Sequence, residues 1–306
     1  MKYSMLRAVA GLGAVLAAAT PATAPLAAQV KAAQPAQAKT MKAAVPAAAP
    51  ATAAALPTTA IPGSNVVDVV ALDYAFEMPA SIPAGLTTLR LTNKGKELHH
   101  VYLVKVDAGK TANDVVGWFK AGGPPPAWMK PVGGPNAAVG ASLFTTNLEA
   151  GKYVALCVIP SPGGPPHVMK GMVKEFTVAP SNRKAVTPTA DITLTLSDYA
   201  LEFNKPLTAG KHIVAVKNNG QQPHEFFFAK LNPGKTPMQM AMFAEKPEGA
   251  PPGMPMGGIT DILPGATVYI EIDVQKGEYG FMCFTPDKKD GKPHLAHGMI
   301  KQISVK

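Results

Sequence analysis

The sequence predicts an all-β protein: two tandem Greek-key β-sandwich domains, each with a short helix in a long mid-domain connection. Three observations predict it. The chain is written twice, its segments alternate apolar and polar residues at the strand period, and Asn, Gly and Pro punctuate them at short intervals. "DYAFEMPASIPAGLTTLRLTNKGKELHHVYLVKV" from Asp73 aligns with "DYALEFNKPLTAGKHIVAVKNNGQQPHEFFFAKL" from Asp198. The offset is 125, as in Tyr74/Tyr199, Asn93/Asn218, Gly95/Gly220 and His99/His224. "GKYVALCVIP" from Gly151 then matches "GEYGFMCFTP" from Gly277, and "HVMKGMVKEFTV" from His167 matches "HLAHGMIKQISV" from His294.

Each element follows in chain order. Residues 1–28 read as a secretory signal peptide: Lys2 and Arg7, an apolar run from Ala8 to Ala19, then small residues up to a cut after Ala24 or Ala28. That run is far short of the ~20 residues a bilayer span requires. Residues 29–63, rich in Ala, Pro, Thr and Lys, carry too few large apolar side chains to offset ordering entropy and read as a flexible tether. Residues 64–180 form the first predicted domain and 181–306 the second, with Pro180 and Pro188 bracketing a polar junction. "TTLRLTN" and "HIVAVKN" alternate as half-buried strands do, while "HHVYLVKV" and "HEFFFAKL" suit core strands. Thr236-Pro237-Met238-Gln239 offers a helix N-cap, a Pro at the first helical position and a Gln three residues on, and Thr111 to Asp114 repeats the pattern more weakly.

The net charge of +9 does not point to nucleic acid. Five of the basic residues lie in the first 42 positions with no acid among them, and no basic stripe interleaves with aromatics. The basic tail suits weak contact with an anionic membrane surface, and no transmembrane segment is expected in the mature chain. The expected location is across the inner membrane, in the periplasm or outside the cell.

Two cysteines and four of the seven histidines occupy matched repeat positions. Each copy holds the order His, Cys, His, Met: His99, Cys157, His167 and Met172, then His224, Cys283, His294 and Met299. A thiolate with two imidazoles forms a trigonal site suited to copper, and a weak axial thioether tunes its potential. Structural zinc uses Cys and His but does not recruit Met. The competing reading, a disulfide in an exported chain, would require two equivalent strand ends to meet. His100, His212 and His297 have no counterpart and read as surface or incidental. The methionines Met238, Met240, Met242, Met254 and Met256 read as packing or a docking surface.

With Gly-x-Tyr-x3-Cys leading the loop, Pro160 and Pro286 three residues after Cys, and Asn-x-Gly upstream of the first His, both repeats resemble the cupredoxins, the blue copper family of plastocyanin, azurin and the copper nitrite reductases. The resemblance covers roughly residues 64–178 and 190–306. It implies two type 1 coppers per chain, held by the eight residues above. It departs from the family after the first His, where many members carry an Asn that holds the Cys loop; here His100 and Glu225 stand in that place. The functional expectation is electron transfer with an unidentified redox partner protein, His167 and His294 serving as electron exits. The alternative is copper storage, buffering or delivery. An enzyme is not expected, because Leu156 and Met282 precede the cysteines where nitrite reductases place a bridging His, and no His-x-His pair occurs.

Overall fold

The computed structural model describes residues 61–122, 125–183 and 186–306. The signal peptide and most of the tether lie outside the described residues. The first repeat runs β1 (Asn65–Leu72), β2 (Ala75–Glu77), β3 (Ser81–Pro83), β4 (Gly85–Asn93), β5 (Tyr102–Val106), α1 (Ala112–Ala121), β6 (Met129–Gly133), β7 (Ala141–Leu148), β8 (Gly151–Leu156) and β9 (Val173–Ala179). The second runs β10 (Ile192–Ser197), β11 (Ala200–Phe203), β12 (Gly210–Asn218), β13 (His224–Leu231), α2 (Pro237–Glu245), β14 (Gly253–Ile262), β15 (Thr267–Val274), β16 (Gly277–Met282) and β17 (Ile300–Val305). A short 3₁₀ turn precedes the last strand of each repeat, at His167–Lys170 and His294–His297.

The local chemistry explains these elements. In β10 and β15 buried positions alternate with partly buried ones along the strand, as the period of two requires. Both helices begin with a capping box, Thr111 with Asp114 and Thr236 with Gln239, so orphan N–H groups are satisfied reciprocally. Pro237 opens α2, where its missing N–H costs nothing.

The chain is mostly β, and the two repeats use the same strand order. One sheet of each reads β2-β1-β4-β7 or β11-β10-β12-β15, and the other β9-β8-β5-β6 or β17-β16-β13-β14. β3 adds an edge strand in the first repeat alone. The structure reads as stacked sheets, one of which the two repeats share. β7 meets β15 through Thr145 and Tyr269, so one eight-stranded sheet crosses from repeat to repeat. The stretch after β6 also bridges to β14 at Pro135–Ile259 and Ala138–Met256. The apolar core follows suit: one continuous cluster contains Leu89, Phe144 and Cys157 from the first repeat together with Phe226, Phe281 and Cys283 from the second. A fully buried Leu or Phe of this kind contributes about 1.5–3 kcal/mol, so the shared core ties the halves together. Smaller clusters seat α1 over Val104 and Leu156, and α2 over Phe227 and Met282.

Candidate metal centre

In each repeat the cysteine stands at the end of a central strand. β8 ends at Leu156 and β16 at Met282, immediately before Cys157 and Cys283. The following loop folds back through the same backbone bonds both times. Cys157 N–H donates to Met172 C=O at 3.2 Å, Val168 N–H to Cys157 C=O at 2.7 Å, and Met172 N–H to His167 C=O at 3.0 Å. Cys283, Leu295, Met299 and His294 repeat the pattern at 3.1, 2.9 and 3.1 Å. Backbone geometry thus brings Cys, His and Met together before any side chain takes part.

The first His arrives from the Asn-x-Gly turn. Asn93 and Asn218 accept from Gly95 and Gly220 N–H and donate to the carbonyls of Glu97 and Gln222, closing the turn. Asp73 and Asp198 accept from the next backbone N–H groups and reach the Nε2 of His99 and His224 at 3.1 and 2.9 Å. Glycine is required in this turn: a Cβ at Gly95 would fall 2.6 Å from His99 Nε2, and one at Gly220 would fall 2.5 Å from His224 Nε2.

The ligand-type side chains converge. His99 Nδ1 lies 3.0 Å from His167 Nδ1, and Cys157 Sγ lies 3.4 Å from the latter. In the second repeat His224 Nδ1 and His294 Nδ1 are 3.0 Å apart, with Cys283 Sγ at 3.5 Å. All eight predicted residues, including Met172 and Met299, are fully buried. Burial lowers the pKa of His167 and His224 and brings His294 down to about 4, so these imidazoles are neutral at pH 7. It pushes the Cys157 thiol up to about 12 and raises that of Cys283 as well. Neither cysteine is in a disulfide.

This donor set fits a soft cation. His99 and His167 direct Nε2 at carboxylates, Asp73 and Glu97. A neutral ring that donates from Nε2 presents a bare lone pair at Nδ1. Two such lone pairs 3.0 Å apart, out of water and beside a thiol, repel one another unless a positive charge lies between them. Outer carboxylates that fix the tautomer in this way are the usual companions of metal-bound histidine.

Several surrounding residues were not evident from the sequence. Tyr74 and Tyr199 take φ of 69° and 72°, strained for any residue but glycine. Their rings stand edge-on to His167 and His294, with centroids 5.3 and 5.6 Å apart. Tyr74 OH donates to Glu97 at 2.6 Å, and Tyr199 OH donates to Asp287 at 2.5 Å. The repetition of Asp73 and Tyr74 at Asp198 and Tyr199 was a signal that could have found them.

Two expectations change. His167 and His294 are not open electron exits; each is fully buried beneath a tyrosine and a carboxylate. His100 is buried, not superficial, and its Nε2 accepts from Val158 N–H at 3.0 Å. Glu225 does the equivalent for Phe284 N–H at 2.8 Å. These two residues therefore hold the cysteine loops from the place where many cupredoxins carry Asn. His297 remains at the surface, paired with Asp290 at 3.1 Å, and His212 pairs with Asp191 at 2.6 Å. Met240 packs beneath α2, while Met238 and Met242 are exposed. Among the described residues no helix is long and apolar enough to cross a membrane.

No protein-family model matches the chain, and no curated protein matches it. Solved structures do. Auracyanin A from Chloroflexus aurantiacus, titled a "blue" copper protein, is 21% identical over 38% of this chain and 99% of its own, with a TM-score of 0.28. The blue copper oxidase of Nitrosomonas europaea is 15% identical over 79% of this chain and 86% of its own, with a TM-score of 0.22. The copper-containing nitrite reductase of Thermus scotoductus SA-01 is 11% identical over 79% of this chain and 61% of its own, with a TM-score of 0.21. The last two are enzymes and span both repeats, which overturns the expectation of a non-catalytic chain and leaves copper catalysis open to it. At these TM-scores the likenesses carry no weight in assigning residue roles, which rest on the site itself. The structural neighbours of this chain are auracyanins, rusticyanin and multicopper oxidases, the blue-copper group to which its motifs pointed.

Proposed function

We propose that the chain is an exported copper-binding electron-transfer protein with two type 1 copper centres, one per repeat. The ligands would be His99, Cys157, His167 and Met172 in one centre, and His224, Cys283, His294 and Met299 in the other. The observation that carries this reading is the pair of imidazole Nδ1 atoms 3.0 Å apart beside a buried thiol, built twice by the same backbone bonds. When bound there, copper supplies one-electron redox chemistry. The protein's own residues keep water out, tie the Nε2 atoms of His99, His167 and His224 to Asp73, Glu97 and Asp198, and fix the cysteine loops through His100 and Glu225.

The signal-type N-terminus supports export, and with the histidines buried a redox partner protein would approach over Tyr74 or Tyr199. A copper storage or delivery role is favoured by one feature, the exposed thioethers of Met238 and Met242 one helical turn apart. Incubating the copper-loaded protein with a strong chelator separates the readings. An electron carrier keeps its metal and its intense visible thiolate-to-copper band; a delivery protein surrenders both quickly.

A further inference from the structure

Beside His294 the second repeat carries a group of donors that the first repeat lacks. Asp287, Asp290 and His297 each offer one ligand atom, and these atoms lie within 4.8 Å of one another. Two local devices bring them together. The loop 287–292 closes on itself, with Asp287 N–H donating to Lys292 C=O and Gly291 N–H to Asp287 C=O, both at 2.8 Å. His294 and His297 begin and end one 3₁₀ turn, where side chains three residues apart eclipse and share a face. His297 Nε2 lies 3.1 Å from Asp290 Oδ1, and its ring centre lies 5.0 Å from that of Tyr199. Asp287 is buried, whereas Asp290 and His297 are exposed.

A separate observation comes from the buried side. The His294 side chain is fully buried, and its Nε2 has no hydrogen-bond partner. That nitrogen faces Asp287 Oδ2 at 3.7 Å, too far for a hydrogen bond. Two ligands bonded to one ion at about 2.0–2.2 Å stand roughly this far apart. The first repeat shows what the place requires. There Lys170 stands at the position of His297, with its Nζ 2.8 Å from Tyr74 OH and 4.2 Å from the ring centre. Ser161 stands at the position of Asp287, and residues 161–166 contain no acid. The first repeat thus sets a built-in ammonium beside the single carboxylate of Glu97; the second sets two carboxylates and an imidazole there. The Lys292 ammonium, 3.5 Å from Asp290 Oδ2, ends a side chain that is 68% exposed and can swing away.

We propose that Asp287, Asp290 and His297 bind a divalent transition cation of the zinc type, which takes the place that the Lys170 ammonium holds in the first repeat. Two carboxylates balance the charge of a divalent ion. The imidazole selects against calcium and magnesium, which favour shells made of oxygen. Three protein ligands leave zinc an open position. The ion gives His294 Nε2 the partner that the protein does not supply, directly or through a water on that open position. On binding, Asp290 and His297 exchange their contact with each other for bonds to the ion, and no electron moves. The site stands whether or not copper fills the buried centre. One consequence rests on the copper reading above: added positive charge beside His294 favours the less charged state of the second centre, so the cation raises that centre's potential alone.

The test titrates Zn(II) into the full chain loaded with copper at both sites, read by calorimetry and by the potential of each centre. One zinc per chain is expected, with a rise in the second centre's potential and none in the first. Asp290→Asn and His297→Gln are each expected to weaken zinc binding by more than an order of magnitude while both copper bands stay in place. Both residues are exposed, so neither change disturbs the core. His297→Lys supplies the ammonium that the first repeat has; it should abolish zinc binding and raise the second centre's potential by itself. A chain that takes up no zinc, or equal affinity in Asp290→Asn and His297→Gln, would overturn the proposal. Zinc that binds without moving the second potential would place the ion away from His294 and overturn it too. Absence of copper bands in the unaltered chain would instead remove the copper reading. The zinc site is then judged in the chain carrying Cys157→Ser and Cys283→Ser, where the same two surface substitutions must still weaken binding.

Discussion

Glu97 Oε2 lies 2.8 Å from His167 Nε2, whereas Asp287, its functional counterpart in the second repeat, stands 3.7 Å from His294 Nε2. The carboxylate has changed its place in the chain. Glu97 aligns with Gln222, and Ser161 aligns with Asp287. Gln222 and Tyr199 both donate to Asp287, and His294 Nε2 is left without a hydrogen-bond acceptor. A carboxylate bonded to the outer nitrogen makes an imidazole a stronger donor and favours the more highly charged metal state. The first centre is therefore expected to have the lower reduction potential. Glu97→Gln should raise that potential and weaken Cu(II) binding at the first site by roughly 10–100-fold. Spectroelectrochemistry and metal titration on a Cys283→Ser background measure both quantities; an unmoved potential counts against a role for Glu97.

Gly95→Ala tests the turn that delivers His99. The added methyl cannot coexist with the Asp73–His99 contact. We expect a loss of about 1–3 kcal/mol, the usual cost of overpacking a close-fitted site, together with loss of metal from the first centre alone. Thermal unfolding and copper counting read the two effects, and Gly220→Ala should mirror them at the second centre.

Burial raises both cysteine pKa values, and the thiolate is the reactive form. In the folded, metal-free protein at neutral pH both thiols should therefore react slowly with a disulfide reagent. Denaturation without reductant should release two fast-reacting thiols per chain. A cross-linked peptide containing both cysteines would contradict this.

Asp261 lies near Glu225 in the junction between repeats and is bonded to Thr285. Burial raises its pKa above the ordinary carboxylate value. The folded state then binds the proton more tightly than the unfolded chain, so stability falls as pH rises from the ordinary value through the folded one. Asp261→Asn should flatten that decline. Denaturant unfolding of the metal-free protein across mildly acidic to neutral pH checks the sign, and a steeper decline in the variant would oppose it.

Much of this was legible in the sequence, for specific reasons. The ligand set was readable because Cys157 and Cys283 are the only cysteines and their neighbours recur at matched offsets. Both capping boxes were readable because their chemistry is local. The shared eight-stranded sheet was not, since a single pairing such as Thr145 with Tyr269 leaves no periodic trace in either strand. Nor was the outer carboxylate of the second His, because Glu97 and Asp287 sit on different loops and alignment of the repeats places neither opposite the other. His100 was read as superficial because it lacks a matching His, yet Glu225 performs the same task with different chemistry.

The central claim is that each repeat holds its own copper. The most direct measurement is copper per chain, with the visible thiolate-to-copper band, after Cu(II) addition to the unaltered protein, Cys157→Ser and Cys283→Ser. The account predicts two coppers in the first and one in each variant, with the remaining band intact. No intense band in the unaltered protein, or loss of both coppers from either single substitution, would contradict it.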